Sequence, residues 1–508
     1  ILQQEKWRWY FADVLRPVCG SIGVGLAAFV LQPSAFQNRW LWLIFLLLTS
    51  CSSLPTKSGT LFQQALSSNG SSSAYSAACD AGSDSACALS NKQIPEWRTP
   101  GALGILQGPS NATTVTLSVV APKALELTFA IIEDTTNPLT TVRPVIAQKN
   151  TFSDRSTTVV HQMLIESLKP NSRYILEVVN SFGKTVDRRS FATANLTNLS
   201  KRNARIAIAS CLSDAYRDEQ ATMWRSVETQ NPDLILLIGD NVYADTVMGR
   251  YVGPQNGEGL WKRYSETFGL LHLYKFKHLK PILAVWDDHD YGTNDGDRTN
   301  PYRLEALKVF QSFFPQTTQR IPEFQTGPGA SSILKAFGLR IAMLDDRSFR
   351  SPTSENQTEP EKQTHFGSEQ EDWLFSQKDA TSLTLLISGD QWFGGYHRFE
   401  SYERNHPKSL EKFLARLKHF VDPALFISGD RHLSEVMKIE PLLLGYETFE
   451  VTSSAIHSRT HPSGWDKTPN PRQIRGKDLV FQYTVIDFES DPKAASGTKL
   501  HGRSIAYP

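Results

Sequence analysis

The 508 residues hold 53 Lys and Arg against 52 Asp and Glu, a formal charge of +1, with five cysteines. That length is too great for one core and predicts two domains plus extra segments. The balanced charge offers no basic surplus for a nucleic-acid partner, no nucleic-acid-binding module is evident, and five cysteines are too few for a disulfide scaffold.

Along the chain, Asn38-Arg39 precede the apolar run Trp40–Leu48, and then come Leu48-Thr49-Ser50-Cys51. A charged flank, a short hydrophobic core and a small-residue site predict a signal peptide, and the run is too short for a membrane span. Cys51 directly after the small residues resembles the lipobox of bacterial lipoproteins. This implies a lipid anchor at Cys51 and an exported protein of the bacterial cell envelope, periplasmic or on the cell surface; an ordinary secretory signal is the alternative. The chain begins with Ile1 and has no Met before Met163, so the true start is expected downstream of Ile1. Residues 1–50 are therefore read as a signal region with an N-terminal extension. Residues 51–98, rich in Ser, Gly and Ala, cannot bury enough apolar surface to order themselves and read as a flexible linker. Within it Cys79 and Cys87 suit a short disulfide loop in an exported chain.

Residues 99–197 alternate apolar and polar positions over Thr113–Val119, Glu126–Ile131, Val159–Ile165 and Tyr174–Val179, with turn residues between them. Even spacing of such strands predicts a β-sandwich. The piece from Leu168 through Tyr174 to Val178 looks like the turn and Tyr corner of fibronectin type III modules. No cluster of ionisable residues marks this domain, so packing or orienting is its expected role, with carbohydrate binding as an alternative.

Over residues 198–508 the period changes. Apolar runs at Ile206–Ala209, Leu234–Ile238, Ile282–Trp286, Leu339–Leu344, Leu383–Ile387 and Ala424–Ile427 alternate with helical stretches at Asp218–Thr229, Trp261–His278, Tyr302–Phe314, Ser368–Ser376 and Lys408–Phe420. This predicts an α/β domain, built either on one covered sheet or on two sheets sandwiched between helices. The strands end in donor groups. Ser210-Cys211 follows the first, Gly239-Asp240-Asn241-Val242-Tyr243 the second and Asp287-Asp288-His289-Asp290 the third, with Asn294 close behind. Gly429-Asp430-Arg431-His432 follows the last, and Gly389-Asp390 repeats the style as a supporting or substrate-facing pair. Tyr243 lies three residues after Asp240, so one helical-type turn brings both to the same ion, and phenolate favours hard Fe3+ over Zn2+ or Ca2+. Three carboxylates and a His in four positions at a half-buried strand end repel each other without a cation. Asp287, Asp288 and Asn294 are oxygen donors suited to Ca2+, Mn2+ or Mg2+. Asp430 and His432 alternate and share one face of an extended segment. Each motif alone also has a structural reading, as a helix cap, a core thiol or a solvated acidic loop.

Taken in order, Ala209-Ser210-Cys211, Gly239-Asp240 to Tyr243, Trp286 to Asp290, Leu344-Asp345-Asp346-Arg347-Ser348-Phe349-Arg350, Gly367 to Leu374 and Ser428 to His432 resemble the alkaline phosphatase D (PhoD-like) branch of the metallophosphatase superfamily. The resemblance implies a metallophosphatase-like sheet sandwich flanked by helices. It also implies a site with Fe3+ and one or two Ca2+ ions, Mn2+ or Zn2+ being the alternatives. Cys211, Asp240 and Tyr243 then look like iron ligands with Asp240 bridging, Asp287 and Asn294 like calcium ligands, and Asp430 and His432 complete the set. Where members often carry Glu and further polar residues, this chain has Asp290-Tyr291-Gly292-Thr293-Asn294-Asp295, so Asp290 or Asp295 can replace Asn294.

The expected reaction is hydrolysis of a phosphate mono- or diester by a metal-bound hydroxide attacking in line. His289 is the candidate proton donor, and Arg347 and Arg350 are candidate phosphate clamps, with an ion pair to Asp345 or Asp346 as their alternative. A purple-acid-type phosphatase would show further paired histidines at the strand ends. An inactive surface binding protein that kept the fold is the rival of another class.

Overall fold

Alternation of apolar and polar residues builds the first part of the chain, because each strand can bury only one face. The structure, a computed structural model, describes residues 103–134, 142–193, 204–316, 320–378, 381, 383–460, 469–478, 480–490 and 498–507. The signal region, the linker, Cys51 and the Cys79–Cys87 loop lie outside the described residues. Among them no helix is long and apolar enough to cross a membrane.

Eight strands form the first part: β1 (Gly104–Ser110), β2 (Val115–Pro122), β3 (Leu127–Glu133), β4 (Val142–Val145), β5 (Gln148–Asn150), β6 (Thr158–Ile165), β7 (Arg173–Asn180) and β8 (Thr185–Ala192). They make two four-stranded sheets, ordered β1-β2-β6-β5 and β4-β3-β7-β8. Leu117, Val119, Phe129, Ile131, Leu176 and Phe191 belong to the core they share. Before β7 the Lys169 amide donates to the Tyr174 hydroxyl at 2.7 Å, fixing the turn. Polar ties hold this sandwich to the next part. The Trp261 indole donates to the Thr158 hydroxyl at 3.0 Å, and Arg189 donates to the Phe276 carbonyl at 2.9 Å.

The second part begins with β9 (Ala204–Ala209), β10 (Leu234–Ile238), a small hairpin of β11 (Thr246–Val247) and β12 (Arg250–Tyr251), and β13 (Ile282–Val285). It continues through β14 (Phe324–Thr326), β15 (Ser332–Ala336), β16 (Leu339–Met343), β17 (Leu383–Ile387) and β18 (Ala424–Ser428). β19 (Ser434–Ile439), β20 (Thr448–Ser453), β21 (Gln473–Lys477), β22 (Phe481–Ser490) and β23 (Thr498–Tyr507) complete it. One sheet runs β13-β10-β9-β22-β23 and the other β14-β15-β16-β17-β18-β20-β19-β21. The two-sheet alternative is thus the observed one. In the first sheet β9, β10 and β13 are parallel; in the second β16, β17, β18 and β20 are.

Period-two geometry explains how a strand with no polar face serves two cores. Leu385 and Ile387 of β17 and Ile427 of β18 pack against Ile208, Leu236 and Ile238 of the other sheet. Leu386 and Phe426, on the opposite face, pack under the helix Pro407–Leu417 through Leu410 and Phe413. The helices Arg217–Gln230, Gly257–Leu270 and Arg303–Phe313 add Trp224, Tyr264, Phe268 and Phe310 to the first core. The helix expected over Trp261–His278 instead starts at Gly257, where the Asn256 side chain accepts from the Gly259 amide at 3.0 Å. It stops at Leu270 because Leu271 is extended, and a short turn at His272–Lys275 follows. Parallel order puts the carboxyl ends of β9, β10, β13, β17, β18 and β20 at one seam, where the Ser210 hydroxyl donates to the Ser453 carbonyl at 2.9 Å.

Candidate metal centre

Donor groups reach the seam because the chain turns sharply as it leaves each strand. Cys211 (φ 60°), Asp240 (φ 52°), Asp430 (φ 58°) and His432 (φ 54°) all adopt left-handed backbone. That conformation costs a non-glycine residue roughly 1–2 kcal/mol, so four instances at one seam mark a site held by its surroundings. Two glycines make the crowding possible. A Cβ on Gly239 (φ 104°) would come 2.6 Å from the Asp287 Cβ, and one on Gly389 would come 2.7 Å from the same atom.

Cys211 is fully buried, with Sγ 3.0 Å from the Ser454 hydroxyl. Tyr243 donates to His432 Nε2 at 3.0 Å and lies 2.9 Å from the Ser458 hydroxyl. The other imidazole nitrogen of His432, Nδ1, donates to the Arg459 carbonyl. This bond fixes the tautomer that leaves Nε2 as a lone-pair donor, the usual support of a metal-binding His. The donor atoms of Cys211, Asp240 and His432 lie within 4.8 Å of one another, as do those of Asp240, Asp288 and His289. Asp288, Asp295 and Glu400 form a third such trio. Asp240 belongs to two trios and Asp288 to two.

Asp287 does otherwise. Arg347 donates from Nε to Asp287 Oδ1 at 2.6 Å, and its Nη2 reaches the same oxygen. The expected ligand therefore faces a buried guanidinium, while its neighbour Asp288 stands with the donors. The Asp288 carboxylate is held by the amides of His289 and Asp295, both at 2.8 Å. Asn294 lies in the cleft wall. Asp290 accepts from the amides of Asn241 (3.0 Å), Val242 (2.9 Å) and Asp287 (3.1 Å), so it braces two turns and faces away from ligand duty.

The candidate phosphate clamps lie behind the wall. Arg347 also donates to Glu400 at 2.8 Å, and Arg350 reaches Asp390 at 3.3 Å and Glu400 at 3.2 Å. Both guanidiniums are buried and ion-paired, as in the alternative to a clamp role, chiefly with Asp287, Glu400 and Asp390. Asp346 is 3.7 Å from Arg347, and Asp345 caps its own turn by accepting from the Arg347 and Ser348 amides. Asp390 is likewise a buried partner of Arg350 and is not among the residues that line the cleft. His289 does line the cleft, and its Nδ1 lies 2.6 Å from Asp245 Oδ1. Its ring rests 4.3 Å from that of Tyr243.

Electrostatics follow from packing so many acids together. Burial, then Asp240, push the Cys211 thiol well above its ordinary value. Burial, then Cys211 and Asp240, do the same to the Tyr243 phenol. Burial drives Asp240 up against the pull of His289 and takes Asp430 to about 6. Burial works against a charged His289, but Asp288, Asp240 and Asp245 outweigh it and raise the imidazole well above its usual range. A thiol, a phenol and carboxyls held protonated by each other are groups that a cation would deprotonate and gather. The donor set thus fits a metal pair: thiolate, phenolate and imidazole for an iron-like ion, carboxylate and amide oxygens for a calcium-like one.

Sequence reasoning missed Asp245, Glu400, Ser454 and Ser458. They sit in irregular loops, where no hydrophobic period marks them; Asp245 alone had a signal, two residues after Tyr243.

The family model of the PhoD-like phosphatase matches residues 206–484. Among solved structures, "Structure of PhoD" superposes with TM-score 0.58 at 17% identity, covering 81% of this chain and 91% of that one. The purple acid phosphatase PPD1 from yellow lupin (Lupinus luteus) seeds superposes with TM-score 0.52 at 12% identity, covering 80% and 72%. No curated protein matches the chain in sequence. With a family model that spans more than half of its residues, all of the strand-end donors among them, the chain belongs to the PhoD-like phosphatase family.

Proposed function

We propose that the chain is a metal-dependent hydrolase of phosphate mono- or diesters whose seam holds Fe3+ beside one or two Ca2+ ions. The observation that carries this reading is Asp240, which stands with Cys211 and His432 on one side and with Asp288 and His289 on the other. A shared carboxylate between a soft-and-imidazole set and an oxygen-rich set is what two unlike ions need. Cys211, Tyr243, Asp240 and His432 would hold the iron; Asp240, Asp288 and Asn294, with Asp430 beside them, would hold calcium. Asp288 takes the ligand place expected of Asp287, and Mn2+ or Zn2+ are alternative ions. Cations bound there would draw charge from phosphoryl oxygens and acidify a water for in-line attack.

The chain's own groups do the rest. Asp245 holds His289 by Nδ1, so a proton on the other ring nitrogen, Nε2, faces the cleft and can pass to the leaving oxygen. Arg347 and Arg350 act as positioning residues that hold Asp287, Glu400 and Asp390 in place behind the wall. The purple-acid alternative asks for further imidazoles at the seam. His457, on the loop beside Ser458, is instead bound to the Trp224 indole at 2.9 Å and to the Ser213 carbonyl at 3.0 Å. Export, the lipid anchor at Cys51 and the fibronectin III likeness of the sandwich are part of the same proposal, resting on the sequence signals above.

The test is turnover of bis(4-nitrophenyl) phosphate by protein supplied with iron and calcium. Turnover is expected, with Asp240→Asn slowed by at least about a hundredfold. A folded, metal-loaded protein that hydrolyses neither this diester nor 4-nitrophenyl phosphate would leave the inactive binding protein as the better reading.

A further inference from the structure

We propose that the outer half of the cleft is an anion subsite, and that the preferred substrate carries a second phosphate besides the one hydrolysed. This deepens the phosphatase reading and rests on it. The cleft encloses about 900 Å³ and runs from Asp240, Asp288 and His289 outward to Arg404 and Pro407. Sites of roughly 300–1,000 Å³ hold whole organic ligands, so a lone phosphoryl group would fill only the inner end.

Arginines are divided between two duties here. Arg347 and Arg350 are buried and ion-paired. Arg398, Arg404 and Arg431 line the cleft, and none of them is ion-paired among the described residues. Phe399 organises two of the three. Its ring is 47% exposed, and the Arg431 and Arg398 guanidiniums lie 4.6 Å and 5.2 Å from its centre. Cation–π contact holds a guanidinium in place without using its N–H donors. Arg431 Nε is moreover buried without a hydrogen-bond partner, a donor supplied ahead of its acceptor. Five carboxylates share the cleft: Asp240, Asp288 and Asp295 stand in the donor trios, Glu400 lies against Arg347 and Arg350, and Asp430 directly precedes Arg431, whereas Arg398 and Arg404 are exposed away from the trios. A cleft that is acidic inside and carries arginines at its mouth, two of the three held on one aromatic ring, suits a dianionic phosphate better than a single carboxylate.

The test compares matched chromogenic esters on the full metal-loaded chain. Thymidine 5′-(4-nitrophenyl phosphate) is set against the same ester bearing a 3′-phosphate, and a glycerol-based 4-nitrophenyl phosphate against its second-phosphate analogue. The second phosphate is expected to raise kcat/KM about tenfold in at least one pair, with the gain shrinking as salt rises. Arg398→Gln with Arg404→Gln, which leaves Arg431 in place, should remove most of that gain and leave turnover of the singly phosphorylated ester within about twofold. Thymidine 3′,5′-bisphosphate should inhibit the parent protein more tightly than thymidine 5′-phosphate, and most of that difference should be lost in the variant. A gain in the nucleoside pair alone names a nucleotide-like substrate; a gain in the glycerol pair alone names a polyol phosphate. Equal kcat/KM within both pairs, or a variant that loses both members of a pair alike, overturns the subsite while the hydrolase reading stands. No turnover of any ester overturns that reading and the subsite together.

Discussion

Replacing Asp288 with Asn takes a charged oxygen from two donor trios, so metal affinity is expected to fall by at least about tenfold. Asp287→Asn should do the opposite. It weakens one bond of the Arg347 guanidinium while Glu400 and Asp346 remain as its charged partners, a loss of about 1–3 kcal/mol, and the folded fraction keeps its metal. Measuring metal content and denaturant midpoint for both variants separates the two roles; equal metal loss in both would return Asp287 to the ligand set. Asp245→Asn replaces the charged acceptor of His289 Nδ1 with a neutral amide. Asp245 is one of the groups that raise the His289 value, so its loss lowers that value. If protonated His289 feeds the leaving group, the alkaline limb of the kcat profile then moves to lower pH, and kcat falls about 10–100-fold with KM little changed. An unmoved alkaline limb would take the proton transfer away from His289.

Between elements, the coupling runs through Asp290, whose carboxylate joins the turn after β10 to the turn after β13 by three amide bonds. Asp290→Ala should cost about 2–4 kcal/mol and misalign Asp240 with Asp288, so a thermal-melt drop is expected together with weaker metal binding. A melt drop with unchanged metal affinity would show that the two turns hold their alignment without it. Strand ends also show how much of the site was legible. Cys211, Asp240, Tyr243, Asp430 and His432 could be located because a buried apolar run ends just before each of them, and such a run fixes where the chain emerges. Asp287 and Asp288 could not be told apart that way. Both leave β13 at a strand-to-helix turn, and rotation about that turn, set by Arg347 sixty positions on, decides which one faces the cleft. Glu400 lies in a loop without period, and the carboxylate that a buried arginine meets is a long-range fact that local pattern does not carry. The strands after β18 were missed for a related reason: β19 to β23 are short or mixed in polarity, and their pairing is made by partners far away in sequence.

Across the whole molecule, two sheets bury their shared face and place every donor at one edge, so the fold's stability and its chemistry meet at the seam. Asp290 and Asp295 are pushed up to about 7 and Asp430 to about 6, by burial first, against an unfolded carboxylate near 4. Between those values these carboxyls hold more protons in the folded metal-free chain than in the unfolded one, so their contribution to stability falls as pH rises; buried histidines outside the donor trios, His161 and His457 at about 4 and His397 and His406 at about 3, act the other way up to the unfolded value near 6.5. The raised His289 acts in the same direction as the carboxyls: its contribution is complete below the unfolded value of 6.5 and is lost as pH rises through the folded one. The metal-loaded protein carries the same histidines but has ions in place of the seam's protons, so the melting temperature of metal-free protein is expected to fall further below that of loaded protein at pH 8 than at pH 5. A gap between the two that stays constant or narrows over the same range would contradict the cluster's charge balance.

The most direct measurement is the metal content and visible spectrum of the purified protein beside its Tyr243→Phe variant. Iron together with calcium is expected, with a broad phenolate-to-iron absorption band that disappears in the variant. Zinc alone in a colourless protein, or a band untouched by the substitution, would contradict it.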